Sequence, residues 1–395
     1  MPGPLDGVKI LDVSAVVSGP LATMILADQG AEVVKVEPVG TGDIMRQRLN
    51  HRGGMAAFFL NVNRGKRSIA VDLKQPRGIE LVRKLAEDAD VFVQNWRPGA
   101  AERLGLGESA LRERNPDLIY ASLSGYGDSG PYHDRPVYDP IIQGLTGHVA
   151  IQESPDIPIK DLVRNIVSDK SSAYTMAQAI TAALFARERG AGGQSIHVPM
   201  IDASLAFFWP DGMMKHTLLD DGVENVGALY EIYRIWQTAD GHLIYFNASP
   251  KETLGLYRAL GHPEWGEDER FVPPGNLLAE NREVLGRMLM AEIEKRTTQE
   301  LVEALVKEQV PVGPVHTLED VIEDPQIRHN QAIFEAEHPS YGRYRAAKPA
   351  ARFSATPQAP GAAPPLLGEH TDEVLAELGV DASTCKELRD AGVVA

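Results

Sequence analysis

The sequence predicts an α/β protein: a parallel sheet covered by helices on both faces, followed by a smaller α+β region. Three observations carry this expectation. Short apolar runs alternate with helix-length stretches through the N-terminal half, the pattern of βαβ units. A polar, glycine-broken stretch over residues 218–225 then separates that half from a region of different texture. Residues 330–365 carry Pro339, Pro349, Pro357, Pro360, Pro364 and Pro365, too many for regular helix, so extended crossing segments and edge strands are expected there.

Taken in order, residues 8–13 read as a strand, Gly19-Pro20 leads into a helix over 21–28 that stops at Gly30, and 32–36 form the next strand. Proline just inside a helix start and glycine just past its end is the expected asymmetry. The unit repeats with a strand over 67–73, an amphipathic helix over 75–88 opened near Pro76, and the strand Val91-Phe92-Val93. A helix over 107–114 and a strand over 118–123 follow, then a long alanine-rich helix over 174–189, a strand over 194–198 and a helix from about Asp202. Beyond the polar stretch, 230–246 reads as strands around an Asp240-Gly241 turn, with helices over 251–260, 281–295 and 298–308. Helices over 371–378 and 383–391 close the chain. In open parallel sheets, ligands sit at the carboxyl ends of the strands.

Composition narrows the function classes. At 395 residues the chain exceeds one ordinary core, so two domains are expected. Hydrophobic content of 43% with 24% charged residues is that of a soluble globular protein. A formal net charge of −16 argues against a nucleic-acid or anionic-membrane surface, so an anionic ligand has to meet a local basic patch. The single cysteine, Cys385, leaves no disulfide framework or multi-cysteine metal site and fits a reducing compartment. The N-terminal residues lack signal-peptide regions, and no apolar run reaches the roughly 18 residues of a membrane span, so a cytoplasmic protein is expected.

One acid stands out. Asp169 lies in Asn165-Ile166-Val167-Ser168-Asp169-Lys170-Ser171-Ser172-Ala173-Tyr174, just ahead of the long helix. Unpaired N–H groups and the positive dipole end of a helix start hold a carboxylate ionised. Such an acid is a cap or a nucleophile, and spacing alone favours the cap, because Asp and Ser are common N-caps. Rival motifs fail on context. Gly125-Tyr126-Gly127-Asp128-Ser129-Gly130 matches a dinucleotide-binding G-x-G-x-x-G, but Pro131 to Pro136 follow where a phosphate-cradling helix has to begin. The overlapping Gly127-Asp128-Ser129-Gly130-Pro131 suggests a serine-protease loop, yet that triad needs a matched His and Asp on a β-barrel framework. His370 lacks a second spaced histidine for a metal, and a loop capped by Thr371 before a helix is expected instead.

Several stretches together resemble the class III CoA-transferases, the family of formyl-CoA and carnitine CoA-transferases. They are Leu11-Asp12-Val13-Ser14 with Ser18-Gly19-Pro20, Gly30-Ala31-Glu32-Val33-Val34-Lys35-Val36-Glu37, Asn63-Arg64-Gly65-Lys66-Arg67-Ser68, Asp72-Leu73-Lys74 and Asn95-Trp96-Arg97-Pro98-Gly99. Arg103-Leu104-Gly105, Asn115-Pro116-Asp117-Leu118-Ile119-Tyr120-Ala121, Tyr138-Asp139-Pro140 and Pro365-Leu366-Leu367-Gly368-Glu369-His370-Thr371 continue the match, which weakens only between about Phe207 and Arg328. The resemblance implies a Rossmann-like large domain from residues 1–217 and 329–395, a smaller α+β domain inserted at 218–328, and two subunits interlocked as a homodimer. It also implies CoA transfer from an acyl-CoA to a free carboxylic acid, through a mixed anhydride and an aspartyl-CoA thioester on Asp169. No metal or tightly bound cofactor is implied; CoA is a substrate. Its binding residues fall on Val16, Val17 and Ser18, on Val71, Asp72, Leu73 and Lys74, on Asn95, Trp96 and Arg97, on Arg103, and on Val137 and Tyr138 at the thioester end. Arg46 is a further phosphate contact on this reading. Lys74 and Arg103 are the foremost phosphate contacts, since charge-assisted bonds from Lys or Arg suit phosphate.

The chain departs from the family in two respects. Some relatives carry an arginine and a lysine where this chain has Pro38 and Pro136, so those phosphate contacts are lost or replaced. The glycine run that closes over the intermediate in the formyl branch is missing between Met213 and Tyr245. A rival within the family, α-methylacyl-CoA racemase chemistry, uses histidine where this chain has Tyr138, and a phenol of ordinary pKa near ~10 is a poor base at neutral pH. A non-catalytic CoA-binding protein is the third reading. Trp209, Tyr230, Tyr233 and Trp236 are candidates to wall an acyl pocket, with core packing as the alternative.

Overall fold

The computed structural model describes residues 3–153, 159–224, 227–272, 275 and 278–395, so Met1, Pro2 and the end of the polar stretch at Asn225 lie outside the described residues. The chain forms two compact units, Met1–Gly212 with His329–Ala395, and Met213–Arg328.

The larger unit opens with β1 (Lys9–Asp12), α1 (Ser18–Asp28), β2 (Glu32–Glu37), a short hairpin β3 (His51–Arg52) and β4 (Met55–Ala56), α2 (Ala57–Asn63) and β5 (Lys66–Ala70). It continues through α3 (Pro76–Glu87), β6 (Val91–Gln94), α4 (Ala100–Arg103), α5 (Glu108–Arg114), β7 (Ile119–Ser124), α6 (Asp139–Leu145), α7 (Val167–Ala186), β8 (Ser195–Pro199) and α8 (Met200–Gly212). Six strands pair in parallel in the order β5-β2-β1-β6-β7-β8. The order reverses between β1 and β6, which leaves a crevice at the carboxyl ends of those strands.

Both faces of this sheet are covered, which is why its strands read as apolar runs rather than as alternating ones. Ile10, Val33, Val93 and Ala121 pack against Ala22 and Leu26 of α1 and Met176 and Ile180 of α7. Leu11, Val13, Ile69 and Phe92 face the other way, onto Leu81 and Val82 of α3 and Leu111 of α5. Gly19 is required for close approach: a Cβ there meets the side chain of Ser14.

The smaller unit holds β9 (Trp236–Gln237), β10 (His242–Tyr245), α9 (Pro250–Leu260), α10 (Ala279–Ile293), α11 (Thr298–Lys307), β11 (Val312–Pro314) and α12 (Leu318–Glu323), with α13 (Pro325–His329) at its end. Its antiparallel sheet runs β11-β10-β9. Helices α9 and α11 begin where they do because Ser249 with Glu252, and Thr297 with Glu300, form capping boxes. Trp236, Leu243, Tyr257, Leu301 and Leu305 form its core, so Trp236 is a packing residue, whereas Tyr233 is exposed.

The return segment adds the antiparallel pair β12 (Ile333–His338) and β13 (Gly342–Ala347), then α14 (Thr371–Glu377) and α15 (Ala382–Asp390). Val374, Leu375 and Leu388 complete the core on the α3 side of the large sheet. The chain's last residues therefore belong to the same core as its first. Among the described residues no helix is long and apolar enough to cross a membrane.

Candidate active site

Helix α7 starts at Val167, well before the expected position, and Asp169 sits inside its first turn rather than at its cap. The cap comes from elsewhere. Asp139, buried at the head of α6, accepts the N–H groups of Ser168 at 2.8 Å and Asp169 at 3.0 Å, and its other oxygen accepts Gln143 Nε2 at 2.5 Å. An acid outside the helix thus takes the donors that were expected to serve Asp169. The carboxyl of Asp169 instead accepts one hydrogen bond, from the hydroxyl of Ser18 at the start of α1.

The electrostatics follow from that geometry. Burial pushes the Asp169 carboxyl up to about 6; the Ser18 hydroxyl opposes the shift and the nearby Asp139 charge adds to it. The expectation that helix N–H groups hold this acid strongly ionised is therefore corrected: Asp139 consumes them and contributes repulsion. Around Asp169, Ser168, Ser171, Ser172 and Ala173 are buried, and the Ser171 and Ser172 hydroxyls donate to the Ser168 carbonyl, so these small residues serve helix packing. Below them Ser168, Ser204, Thr146 and His148 form one buried polar cluster centred on the Ser204 hydroxyl.

A cavity of about 210 Å³ lies at the carboxyl ends of β1, β2, β5 and β6, lined in part by Ala15, Pro38, Val71, Asp72, Leu73, Lys74 and Trp96. The structure thus brings five of the expected residues, Val71 to Lys74 and Trp96, into one cavity. Val16 adjoins its lining residue Ala15. Val17 and Ser18 lead into the buried start of α1. Lys74, Arg97 and Arg103 are exposed, and no intramolecular ion pair is found for them among the described residues. Tyr138 is exposed at the N-cap of α6, next to the partly buried Val137.

Two of the expected contact residues are engaged within the fold. Arg46 is buried and fully engaged: its guanidinium pairs with both oxygens of Glu37 at 2.7 and 2.6 Å, donates to the Pro365 carbonyl and lies over the Phe59 ring. It forms a buried bidentate pair with Glu37. Asn95 uses both polar atoms of its amide on Ala15, accepting the N–H at 2.9 Å and donating to the carbonyl at 2.7 Å, so it orders the loop before α1. The Gly125–Gly130 run follows β7 and opens onto turns, not a helix. His370 meets the backbone of Ser68.

Sequence reasoning named Asp139 only as part of a family motif and missed its capping role, and it missed a buried charge network. Lys66 bonds Asp12 at 2.9 Å, and Lys35 faces Asp43 at 3.3 Å and donates to the Ser14 carbonyl at 2.7 Å, all essentially without exposure. Burial works against ionisation of Asp12, but the Lys66 and Lys35 ammonium groups outweigh it and hold the carboxyl below the usual range. A lysine inside Val33-Val34-Lys35-Val36 was the available signal, since a buried ammonium requires a partner.

A half-buried carboxylate where two helix starts meet, in a unit with a cavity at the switch point of a doubly wound parallel sheet, defines an α/β protein with a candidate ligand site at its strand ends. Comparison with known proteins gives the family. The model of CoA-transferase family III matches residues 5–371. A succinyl-CoA:glutarate CoA-transferase of Homo sapiens is 32% identical over 99% of this chain and 90% of its own length. A formyl-CoA:oxalate CoA-transferase of Bradyrhizobium sp. is 30% identical over 99% of this chain and 97% of its own length. The crystal structure of a CAIB/BAIF family protein from Brucella suis superposes with a TM-score of 0.83 at 30% identity, covering 96% of this chain and 100% of that one. The chain belongs to CoA-transferase family III and is an enzyme of that type.

Proposed function

We propose that the protein moves CoA from an acyl-CoA donor to a free carboxylic acid, with Asp169 as the nucleophile. The observation that carries this reading is the Asp169 carboxyl itself: half-buried, raised to about 6 and held by a single hydroxyl at the junction of α1 and α7. A carboxylate of raised basicity is a stronger nucleophile, yet at pH 7 roughly nine-tenths of it remains ionised.

In the first step an Asp169 oxygen attacks the donor thioester carbonyl, and the C–S bond breaks to give a mixed anhydride and CoA thiolate. The thiolate then attacks the Asp169 carbonyl of the anhydride, forming an aspartyl-CoA thioester and releasing the donor acid. The acceptor carboxylate attacks that thioester and expels the thiolate. The returning thiolate takes the acceptor's acyl carbon, yielding the new acyl-CoA and free Asp169. Charge and atoms balance with no metal or redox partner. No protein acceptor is found for the Ser18 and Gly19 N–H groups among the described residues. These donors suit the oxyanion of each tetrahedral stage. Lys74, Arg97 and Arg103 are the cations proposed for the CoA phosphates, with the cavity beside Leu73 and Trp96 as a slot for the nucleotide.

The named relatives point to short dicarboxylic acids such as succinate, glutarate or oxalate as the substrate class. We further infer a cytoplasmic homodimer whose contact includes the exposed Tyr138, Ile141 and Leu145 along α6; analytical ultracentrifugation tests the dimer. For the reaction, the protein is incubated with succinyl-CoA, treated with hydroxylamine or borohydride, and weighed intact. An adduct mapped to Asp169 is the expected result; a fully active Asp169→Ala enzyme sinks the proposal. Racemase chemistry instead predicts deuterium wash-in at an α-carbon without any acceptor acid.

A further inference from the structure

The loop from β1 to α1 is held residue by residue. The N–H and hydroxyl of Ser14 donate to Asp12, and its carbonyl accepts Lys35 Nζ. Ala15 exchanges both backbone groups with Asn95. Val16 stands at φ 71°, a left-handed conformation in which a β-branched side chain crowds its own backbone. Its N–H donates to the buried carboxylate of Asp43, at 3.1 and 3.3 Å to the two oxygens. The next residues are Val17 and Ser18, and the Ser18 hydroxyl meets Asp169.

Asp43 is itself fixed from three sides. Its N–H donates to Glu37 at 3.0 Å, its carboxylate accepts Met45 N–H at 3.0 Å, and Lys35 Nζ lies 3.3 Å away with neither side chain exposed. A strained residue persists only where its surroundings over-determine it, and such residues gather at functional sites. Val16 is the only described non-glycine residue of positive φ that borders the Asp169 region; the others are Leu49, Gln309 and Gln331.

We propose that Asp43 is a positioning residue: backed by Lys35, it clamps Val16 in the left-handed conformation and so fixes the start of α1 against Asp169. Released from the clamp, Val16 relaxes to an ordinary φ, the peptide planes that follow rotate, and the Ser18 hydroxyl leaves the Asp169 carboxylate. The catalytic consequence rests on the transferase reading above; the clamp does not.

The test compares Asp43→Ala, Val16→Gly and the double variant, with succinyl-CoA and glutarate as substrates. Asp43→Ala is expected to lower kcat about 10²-fold, the scale of an ångström-sized misplacement. Glycine adopts positive φ without crowding, so the double variant is expected to regain about tenfold or more of that loss. A folded Asp43→Ala enzyme with undiminished kcat, or a loss that Val16→Gly does not recover, overturns the proposal. Should Asp43→Ala fail to fold, Asp43→Asn keeps the volume and one acceptor and has to show the same fall and rescue on a smaller scale. Hydrogen exchange at the Val16 amide is read on the same proteins. Faster exchange in the Asp43 variants supports the clamp and unchanged exchange refutes it, whether or not the wild-type protein forms an adduct on Asp169. Absence of that adduct counts against the transferase reading alone.

Discussion

Replacing Asp169 by Asn is expected to abolish transfer and to make the protein more stable. The carboxyl lies at about 6 against an ordinary 3.8, with burial as the main cause. Above pH 6 the group is ionised in both native and unfolded chains, and the native state carries the full cost of burying the charge. That cost is on the order of 3 kcal/mol, at about 1.4 kcal/mol per pH unit of displacement. Asparagine keeps an oxygen for the Ser18 hydroxyl and carries no charge. Below pH 3.8 the wild-type acid is protonated in both states and the cost vanishes. The sign is thus that of a raised acid: wild type gains on the variant as pH falls through 6 toward 3.8. Urea denaturation should give Asp169→Asn an advantage of about 3 kcal/mol at pH 8, shrinking to about 1 kcal/mol near pH 4.5. An inactive variant no more stable than wild type at pH 8, or an advantage that does not shrink on acidification, refutes the claim that burial raises this carboxyl.

Asp139→Asn removes the charge that helps raise Asp169, so the acid limb of kcat/KM, expected near pH 6, should move down; a pH–rate profile with an unmoved limb contradicts the pairing. Arg46→Ala leaves Glu37 buried without its partner, and denaturation should record a loss of about 3–5 kcal/mol with little change in KM for acyl-CoA. A tenfold rise in KM at unchanged stability would instead return Arg46 to the phosphate site. Arg103→Ala should raise KM for acyl-CoA by about tenfold, the worth of one charge-assisted bond, with the difference narrowing at high salt because the side chain is exposed.

The sheet was legible in the sequence because strands buried on both faces are short apolar runs, and their separation by helix-length stretches admits few alternatives. Helix starts were less legible. Helix α7 begins ahead of its alanine-rich body because Asp139, remote in sequence, caps it, and a cap supplied across the fold leaves no local pattern. The short β3–β4 hairpin and α2 were missed for a related reason: His51 to Asn63 shows neither period clearly, and its order comes from packing of Met55 and Phe59 against Tyr341, far along the chain. Val71 to Lys74 and Trp96 belong to family motifs that lie at strand ends, which the sheet gathers into one cavity. For Arg46 the sequence reports a cation and not its partner; Glu37, next to the lost arginine position at Pro38, holds it. Asp43 carries no motif, Asp139 stands in one that does not tell its capping role, and only the conformation of Val16 and the start of α7 reveal what they do.

The two acids at the head of α7 divide work that one acid cannot do well. A carboxylate that accepts helix N–H bonds is held ionised and its basicity falls, which suits a cap and weakens a nucleophile. At Asp139 both oxygens are engaged, one by the Ser168 and Asp169 N–H groups and the other by Gln143 Nε2. At Asp169 the cap has been handed away, one hydroxyl remains as donor, and burial with a negative neighbour raises basicity. Moving the cap back onto Asp169 would stabilise the helix start and the charge together, and would lower the reactivity that the proposed covalent transfer needs. On the proposed mechanism the destabilising placement of Asp169 is tied to its chemistry, and the buried Asp12, Lys35, Asp43 and Lys66 network supplies the rigidity that keeps α1 against it.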